Sequence, residues 1–238
     1  MKKIKFMDCS FRDGFQSCLG ARVKTEDFLP ALEAAVKAGI NYIEIGGGAR
    51  FQSLFFYTQE NAFEEMDRWR ACVDSVAPGV NLQTLSRGVN VVGLSSQSSD
   101  IIDLHAKLFK KHGITTIRNF DALNDVRNLE QAIKSTKKYG GTVEATLSYT
   151  ISPIHNEDYF VKMAKELEQM GADTLCIKDM ANLLLPMDAY SLVKRLKENV
   201  DMPIHLHTHN TTGTGDMTYL MAAQAGVDIV DWALSPMA

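Results

Sequence analysis

A regular alternation of short strand patterns with longer helical ones is what most narrows the fold of this chain. Strand patterns cover residues 4–8, 41–45, 80–85, 114–120, 142–149, 172–177, 203–207 and 227–230. Between them, apolar residues recur at helical spacing over 25–38, 60–76, 99–112, 126–139, 156–170, 188–199 and 215–225. Gly39, Gly113, Gly140 and Gly171 stop four of these helices, and Thr25, followed by Glu26 and Asp27, is placed as the N-cap of the first. Strands joined through helices run parallel. A strand–helix unit of about 30 residues, repeated around the chain, fits a closed (β/α)₈ TIM barrel. An open doubly wound sheet would call for G-x-G-x-x-G, and GGGARF at 46–51 lacks the third glycine.

No linker, low-complexity run or charge block divides residues 1–238, so a single barrel domain is expected. A barrel of this kind covers each strand with a helix, yet only ALSPMA follows the eighth strand pattern. The expectation is therefore a barrel truncated after strand eight, a fragment without its last helix and without a C-terminal domain.

Composition excludes some classes of function. The net charge of -4 with no basic cluster speaks against a nucleic-acid surface. No apolar run reaches the roughly 18 residues of a membrane helix, and MKKIKFMDCS lacks a signal-peptide core. Cys9, Cys18, Cys72 and Cys176 form no C-x-x-C pair, which with no secretory signal points to a reducing cytoplasm. Cys9 and Cys176 fall inside apolar strand patterns and read as core residues.

In a (β/α)₈ barrel the C-terminal strand ends converge on one site. There the sequence puts Arg12, Asp13 and Gln16 after strand one, Arg50 after strand two, and Arg87 and Asn90 after strand three. Asp121 and Asn124 follow strand four, Tyr149 strand five, Lys178 and Asp179 strand six, and Asp231 strand eight. Strand seven contributes PIHLHTHNTTG, in which His205, His207 and His209 share one face about 7 Å apart. Asp13, His207 and His209 make a mixed carboxylate and imidazole set suited to Zn²⁺ or Mn²⁺. His205 lies two residues deeper, so the ligand set is read without it. The plain alternative is a polar strand end with solvated histidines.

Arg12 beside Asp13 reads equally as a salt bridge. Arg87 at a strand end suits a carboxylate gripped by both guanidinium arms, with a surface ion pair as its alternative. Lys178 follows the apolar run 174–177, so its head points into the site, where low dielectric favours the neutral amine. A Schiff base, a carbamate and a salt bridge to Asp13 or Asp179 stand open for it.

The segments FRDGFQS, EIGGGARF, SRGVNVVG, NFDALND, SYTISPIH, CIKDMANLL, HLHTHNTTG and VDIVDWALSP occur in that order along nearly the whole chain. Together they resemble the biotin-dependent carboxyltransferase family of the metal-dependent pyruvate-aldolase superfamily. That family includes the α chain of oxaloacetate decarboxylase, the carboxyltransferase-bearing chain of two-subunit pyruvate carboxylase and the 5S part of transcarboxylase. The resemblance implies that Asp13, His207, His209 and a carbamylated Lys178 hold a divalent metal (zinc, manganese or cobalt). It implies that Arg87 and Gln16 bind the carboxylate and keto oxygen of pyruvate or oxaloacetate, with Arg12 beside the enolate. It implies carboxyl transfer between biotin and pyruvate, with a biotinyl carrier domain or subunit as partner. It also implies a homo-oligomer that spans no membrane itself but docks to a membrane decarboxylase complex.

The chain departs from the family pattern at several positions. Cys9 and Ser10 stand for the usual threonines, Phe15 for a histidine, Gln52 for an aspartate at the biotin entrance, and Asn182 for the glycine of KDMAG. The family's catalytic threonine lies downstream of residue 238. The second reading is a carbon–carbon lyase or synthase of the hydroxymethylglutaryl-CoA lyase or isopropylmalate synthase type, whose lyase branch places an asparagine where carbamylated lysine would stand. A third is a non-catalytic scaffold that keeps the barrel.

Overall fold

In the strand segments VEATL and IHLH, apolar side chains of one parity alternate with polar or charged ones of the other, so the two faces of the sheet need different surroundings. A closed barrel supplies them, with helices outside and a side-chain-filled interior. The computed structural model describes residues 3–237. Its strands are β1 (Lys5–Asp8), β2 (Tyr42–Gly47), β3 (Asn81–Ser86), β4 (Thr116–Asn119), β5 (Thr142–Ser148), β6 (Thr174–Asp179), β7 (Ile204–Thr208) and β8 (Ile229–Trp232). All pairings are parallel and in sequence order, and β8 returns to β1 through Met7 opposite Asp231. The TIM barrel expected from the alternation is the fold observed.

The helices are α1 (Phe15–Leu19), α2 (Thr25–Lys37), α3 (Ala49–Ser53), α4 (Ala62–Val76), α5 (Ser99–Lys111), α6 (Arg127–Lys138), α7 (Glu157–Gln169), α8 (Pro186–Lys197) and α9 (Gly215–Ala225). Among the described residues no helix is long and apolar enough to cross a membrane. Outward strand residues join the helices in two large apolar clusters. One packs Leu147, Ile177 and Leu206 against Phe160, Leu167 and Leu192. The other packs Ile43, Ile45 and Leu82 against Leu32, Trp69 and Val73. Cys9 and Cys176 are both buried, as read from their strands.

The differences from the sequence reading lie at element ends and have local causes. Thr25 is not the N-cap of α2; Lys24 holds that position, and Thr25 is the first helical residue. The Thr25 backbone N–H donates to Glu60 Oε1 at 2.9 Å, and its hydroxyl accepts from Trp69 Nε1 at 3.3 Å. With Glu60 so engaged, α4 starts two residues later than expected, at Ala62, capped by the Asn61 side chain accepting from Phe63 N. Helix α8 begins at Pro186, a residue pre-set for the first helical turn, and not at Asp188. Asn182, where the resemblance leads one to expect a glycine, takes φ 54°, a left-handed conformation that asparagine tolerates.

The triple glycine begins inside β2, and its middle member is a steric requirement. Gly47 has φ 87°, and a Cβ there would lie 2.1 Å from the Leu85 carbonyl oxygen of β3. Gly39 has nearly the same φ, 91°, but nothing within 4 Å of that point. Gly39→Ala is expected to cost about 1–2 kcal/mol, the left-handed penalty alone. Gly47→Ala should cost clearly more, because β2 and β3 must also separate. Thermal unfolding of the two variants checks this, and equal losses of Tm would contradict the close approach.

Candidate active site at the barrel mouth

The loop after β1 is the densest part of the site. A π-helical turn, Ser10–Gly14, carries Arg12 and Asp13, and α1 continues it with Gln16. The turn brings Asp13 to His207 of β7 and to His209 just beyond it. Asp13 Oδ2 lies 3.4 Å from His207 Nε2 and 3.3 Å from His209 Nε2. The two rings meet edge to face, with centroids 4.8 Å apart. One ligand atom from each of Asp13, His207 and His209 falls within 4.8 Å of the others, a spacing that one ion can bridge.

Lys178 stands beside this group. Register pairs it with His207 across β6 and β7, so both side chains point into the barrel. It is only 2% exposed, and its Nζ has no hydrogen-bond partner among the described residues. The salt bridges to Asp13 or Asp179 left open by the sequence do not form; Asp179 instead accepts from the backbone N–H of Leu183 and Leu184. Burial lowers the Lys178 amine from its ordinary value, and the charges of Arg12 and Arg118 lower it further.

Below the mouth the barrel is filled with charge. Arg12 donates from Nε to Glu44 Oε2 at 2.7 Å, and its Nη2 lies 3.1 Å from Asp13. Arg118 of β4 donates from Nε to Glu144 and spans Asp231, with Nη1 to Oδ2 at 2.7 Å and Nη2 to Oδ1 at 3.2 Å. Its Nη1 also reaches Glu44 at 3.3 Å. His205 joins this layer and not the mouth: Nδ1 meets Glu144 Oε2 at 2.7 Å and Nε2 meets Asp231 Oδ1 at 2.6 Å.

The protonation states follow from these contacts. Burial acts to raise the Asp13 carboxyl, but Arg12 and then the histidines hold it well below the usual carboxylate range. Glu144 is likewise penalised by burial, yet Arg118 and His205 bring it down to about 2. Burial alone would lower His205; Glu144 and Asp231 reverse that and raise it to about 9, an imidazolium. His207 is pushed down to about 4, chiefly by burial, so it is neutral at pH 7. Two other clusters, Cys9–His207–Asp231 and Glu144–Cys176–His205, have metal-like spacing. Both lie against the Arg118 guanidinium, and burial keeps both thiols protonated, so neither suits a cation.

Arg87 and Gln16 approach one another over Gly48, whose φ is 55°. A Cβ on Gly48 would lie 3.4 Å from Arg87 Nη2 and 3.7 Å from Gln16 Oε1. The glycine thus leaves a small cradle between a guanidinium and an amide. Arg87 Nη1 donates to the Gly93 carbonyl at 3.2 Å, which fixes the arm, and Gln16 Oε1 is buried with no hydrogen-bond partner among the described residues.

Other strand-end residues hold loops. Asp121 accepts from the backbone N–H of Leu123 and Asp125, and Asn124 brackets Ser148 through both N–H and carbonyl. Arg50 leaves the mouth altogether. It donates to the carbonyls of Ala21 and Val23 and lies over the rings of Phe15, Phe28 and Trp69. Sequence reasoning passed over Glu44, Arg118 and Glu144. Their signal was present: Glu44 and Glu144 are each flanked by apolar neighbours inside a strand, in YIEIG and VEAT, and Arg118 follows Ile117 inside the strand TIRN.

The similarity to known proteins extends over all of these elements. A model described as HMGL-like matches residues 3–237. The 2-oxoglutarate carboxylase large subunit of Hydrogenobacter thermophilus is 40% identical over 239 residues, covering 100% of this chain and 36% of that protein. Pyruvate carboxylase of Staphylococcus aureus is 39% identical over 244 residues, covering 98% of this chain and 21% of that protein. The carboxyl transferase domain of Rhizobium etli pyruvate carboxylase, solved with pyruvate, superposes with a TM-score of 0.94 at 33% identity, covering 100% of this chain and 41% of the other. The chain thus spans well under half the length of the curated relatives it matches. A match unbroken from β1 through the histidines of β7 to β8 makes this chain a member of the HMGL-like family.

Proposed function

We propose that this chain is the keto-acid-binding barrel of a biotin-dependent carboxyltransferase. Its small substrate is pyruvate or oxaloacetate, and a biotinyl domain or subunit carries the carboxyl group. The named relatives support the reaction class, and a related domain solved with pyruvate and biocytin supports both ligands. The observation that carries the reading for this chain is Lys178, a buried amine without a hydrogen-bond partner among the described residues, beside Asp13 and His207. A lyase of the hydroxymethylglutaryl-CoA type, as read from its resemblance, has no use for a lysine there.

Asp13, His207 and His209 would hold a divalent ion, zinc, manganese or cobalt. The donors fit it: His207 is neutral, and its Nε2 is buried, turned towards Asp13 and without a hydrogen bond. An ammonium at Lys178 would repel such an ion. The neutral amine instead attacks CO₂; a C–N bond forms, one proton leaves, and the resulting carbamate offers an anionic oxygen. When bound, the ion supplies Lewis-acid polarisation of a keto oxygen, and biotin supplies the carboxyl group. Arg87 grips the substrate carboxylate, Gln16 meets the keto oxygen, and Arg12, anchored on Glu44, keeps positive charge beside the enolate.

Three outcomes follow. His207→Ala and His209→Ala should each lose the bound ion by elemental analysis, and full retention in both would remove the ligand assignment. Lys178, labelled with ¹³C-bicarbonate, should give a carbamate carbonyl signal by ¹³C NMR that is missing in Lys178→Ala; a signal common to both proteins would contradict the carbamate. Arg87→Lys keeps the charge but loses the fork. With a charge-assisted hydrogen bond contributing about 1.5–3 kcal/mol, its dissociation constant for pyruvate should rise roughly ten- to a hundredfold in calorimetric titration. An unchanged constant would take Arg87 out of the substrate site.

A further inference from the structure

Asp231 and His205 lie outside the Asp13–His207–His209 set, and Asp231 meets the inner nitrogen of the His207 ring. Four donor positions converge on the two oxygens of Asp231. Oδ2 lies 2.7 Å from Arg118 Nη1 and 2.6 Å from His207 Nδ1. Oδ1 lies 3.2 Å from Arg118 Nη2 and 2.6 Å from His205 Nε2. A guanidinium only donates, and its two arms meet both oxygens in the pairing of a carboxylate, which has no proton to give, so both oxygens of Asp231 accept. His207 Nδ1 therefore carries the proton in this hydrogen bond. In a neutral imidazole the lone pair is then on Nε2, the atom facing Asp13 at 3.4 Å.

Arg118 is itself held in place. Its Nε donates to Glu144, which also accepts from Gln83 Nε2 at 3.2 Å and meets His205 Nδ1 at 2.7 Å. Arg118 and Asp231 are both buried, and Arg118 is 0% exposed. The orientation of one ring at the mouth is thus set from β4 and β5, through groups that touch neither Asp13 nor His209 in any hydrogen bond or ion pair among the described residues.

We propose that Asp231, locked by Arg118, is the positioning residue of this site: it fixes His207 as the Nδ1–H tautomer and keeps Nε2 open for a divalent cation beside Asp13 and His209. The cation part of this rests on the ligand set given under the proposed function; the tautomer does not. Asp231→Asn tests the fit, because asparagine has the same shape but one oxygen fewer. Either placement of its NH₂ sets that group against an Arg118 N–H and a ring nitrogen, so His207 loses its fixed acceptor or Arg118 turns away.

Two measurements on the full chain decide it. Long-range ¹H–¹⁵N correlation spectra of histidine-labelled, metal-free protein at about pH 7.5, assigned against His207→Gln, should find the His207 proton on Nδ1. A proton on Nε2 overturns the proposal whether or not any variant folds. Titration with Zn²⁺ alone should then give a dissociation constant roughly ten- to a hundredfold weaker in Asp231→Asn than in the unaltered chain, the usual effect of removing a group that orients a ligand. Circular dichroism identifies whether the variant is folded. Equal Zn²⁺ affinity in a folded Asp231→Asn would also overturn the proposal. Should the unaltered chain bind no Zn²⁺, the ligand set fails, and the Nδ1 proton still reports on Asp231.

Discussion

A guanidinium buried inside a barrel has to meet carboxylates on every side, and Arg118 does. Glu44, Glu144 and Asp231 surround it from three strands, and each is in turn shared with Arg12 or His205. Removing one member of such a cluster leaves an uncompensated buried charge, at about 3–5 kcal/mol. Replacing the whole cluster with apolar side chains is often neutral or favourable. Stability is thus a poor reason for charge at the centre of this barrel.

Asp13, Glu44, Glu144 and Asp231 are ionised, while Arg12, Arg118 and His205 are cationic and His207 is neutral. Four anions against three cations leave a single negative charge. An ammonium at Lys178 would neutralise the group with no room for a divalent ion. A carbamate brings the group to two negative charges, which a divalent ion balances. The lowered affinity of Lys178 for its proton, caused by burial and then by Arg12 and Arg118, is the same fact seen from the lysine.

The fold was legible because hydrophobic periodicity is local, and every unit of the barrel repeats it. Element ends were less so. Thr25 looked like a cap because its sequence neighbours are acidic, whereas its backbone N–H is taken by Glu60, 35 residues away. At the mouth, strand-end position alone was enough to bring Asp13, Lys178, His207 and His209 together, because in a parallel barrel every strand ends on the same side. It failed for Arg50, which turns outward to an aromatic shell and two carbonyls. The interior cluster was hidden because its partners lie far apart in sequence: Arg118 and Asp231 are separated by 113 residues and meet only across the barrel.

Anomalous diffraction from crystals grown with Zn²⁺ and bicarbonate tests the central claim most directly. The expected result is one peak bounded by Asp13, His207 and His209, with planar density beyond Lys178 Nζ supplying a further oxygen. A peak in the deeper Cys9–His207–Asp231 or Glu144–Cys176–His205 group, or a filled mouth beside a bare Lys178 amine, would contradict it.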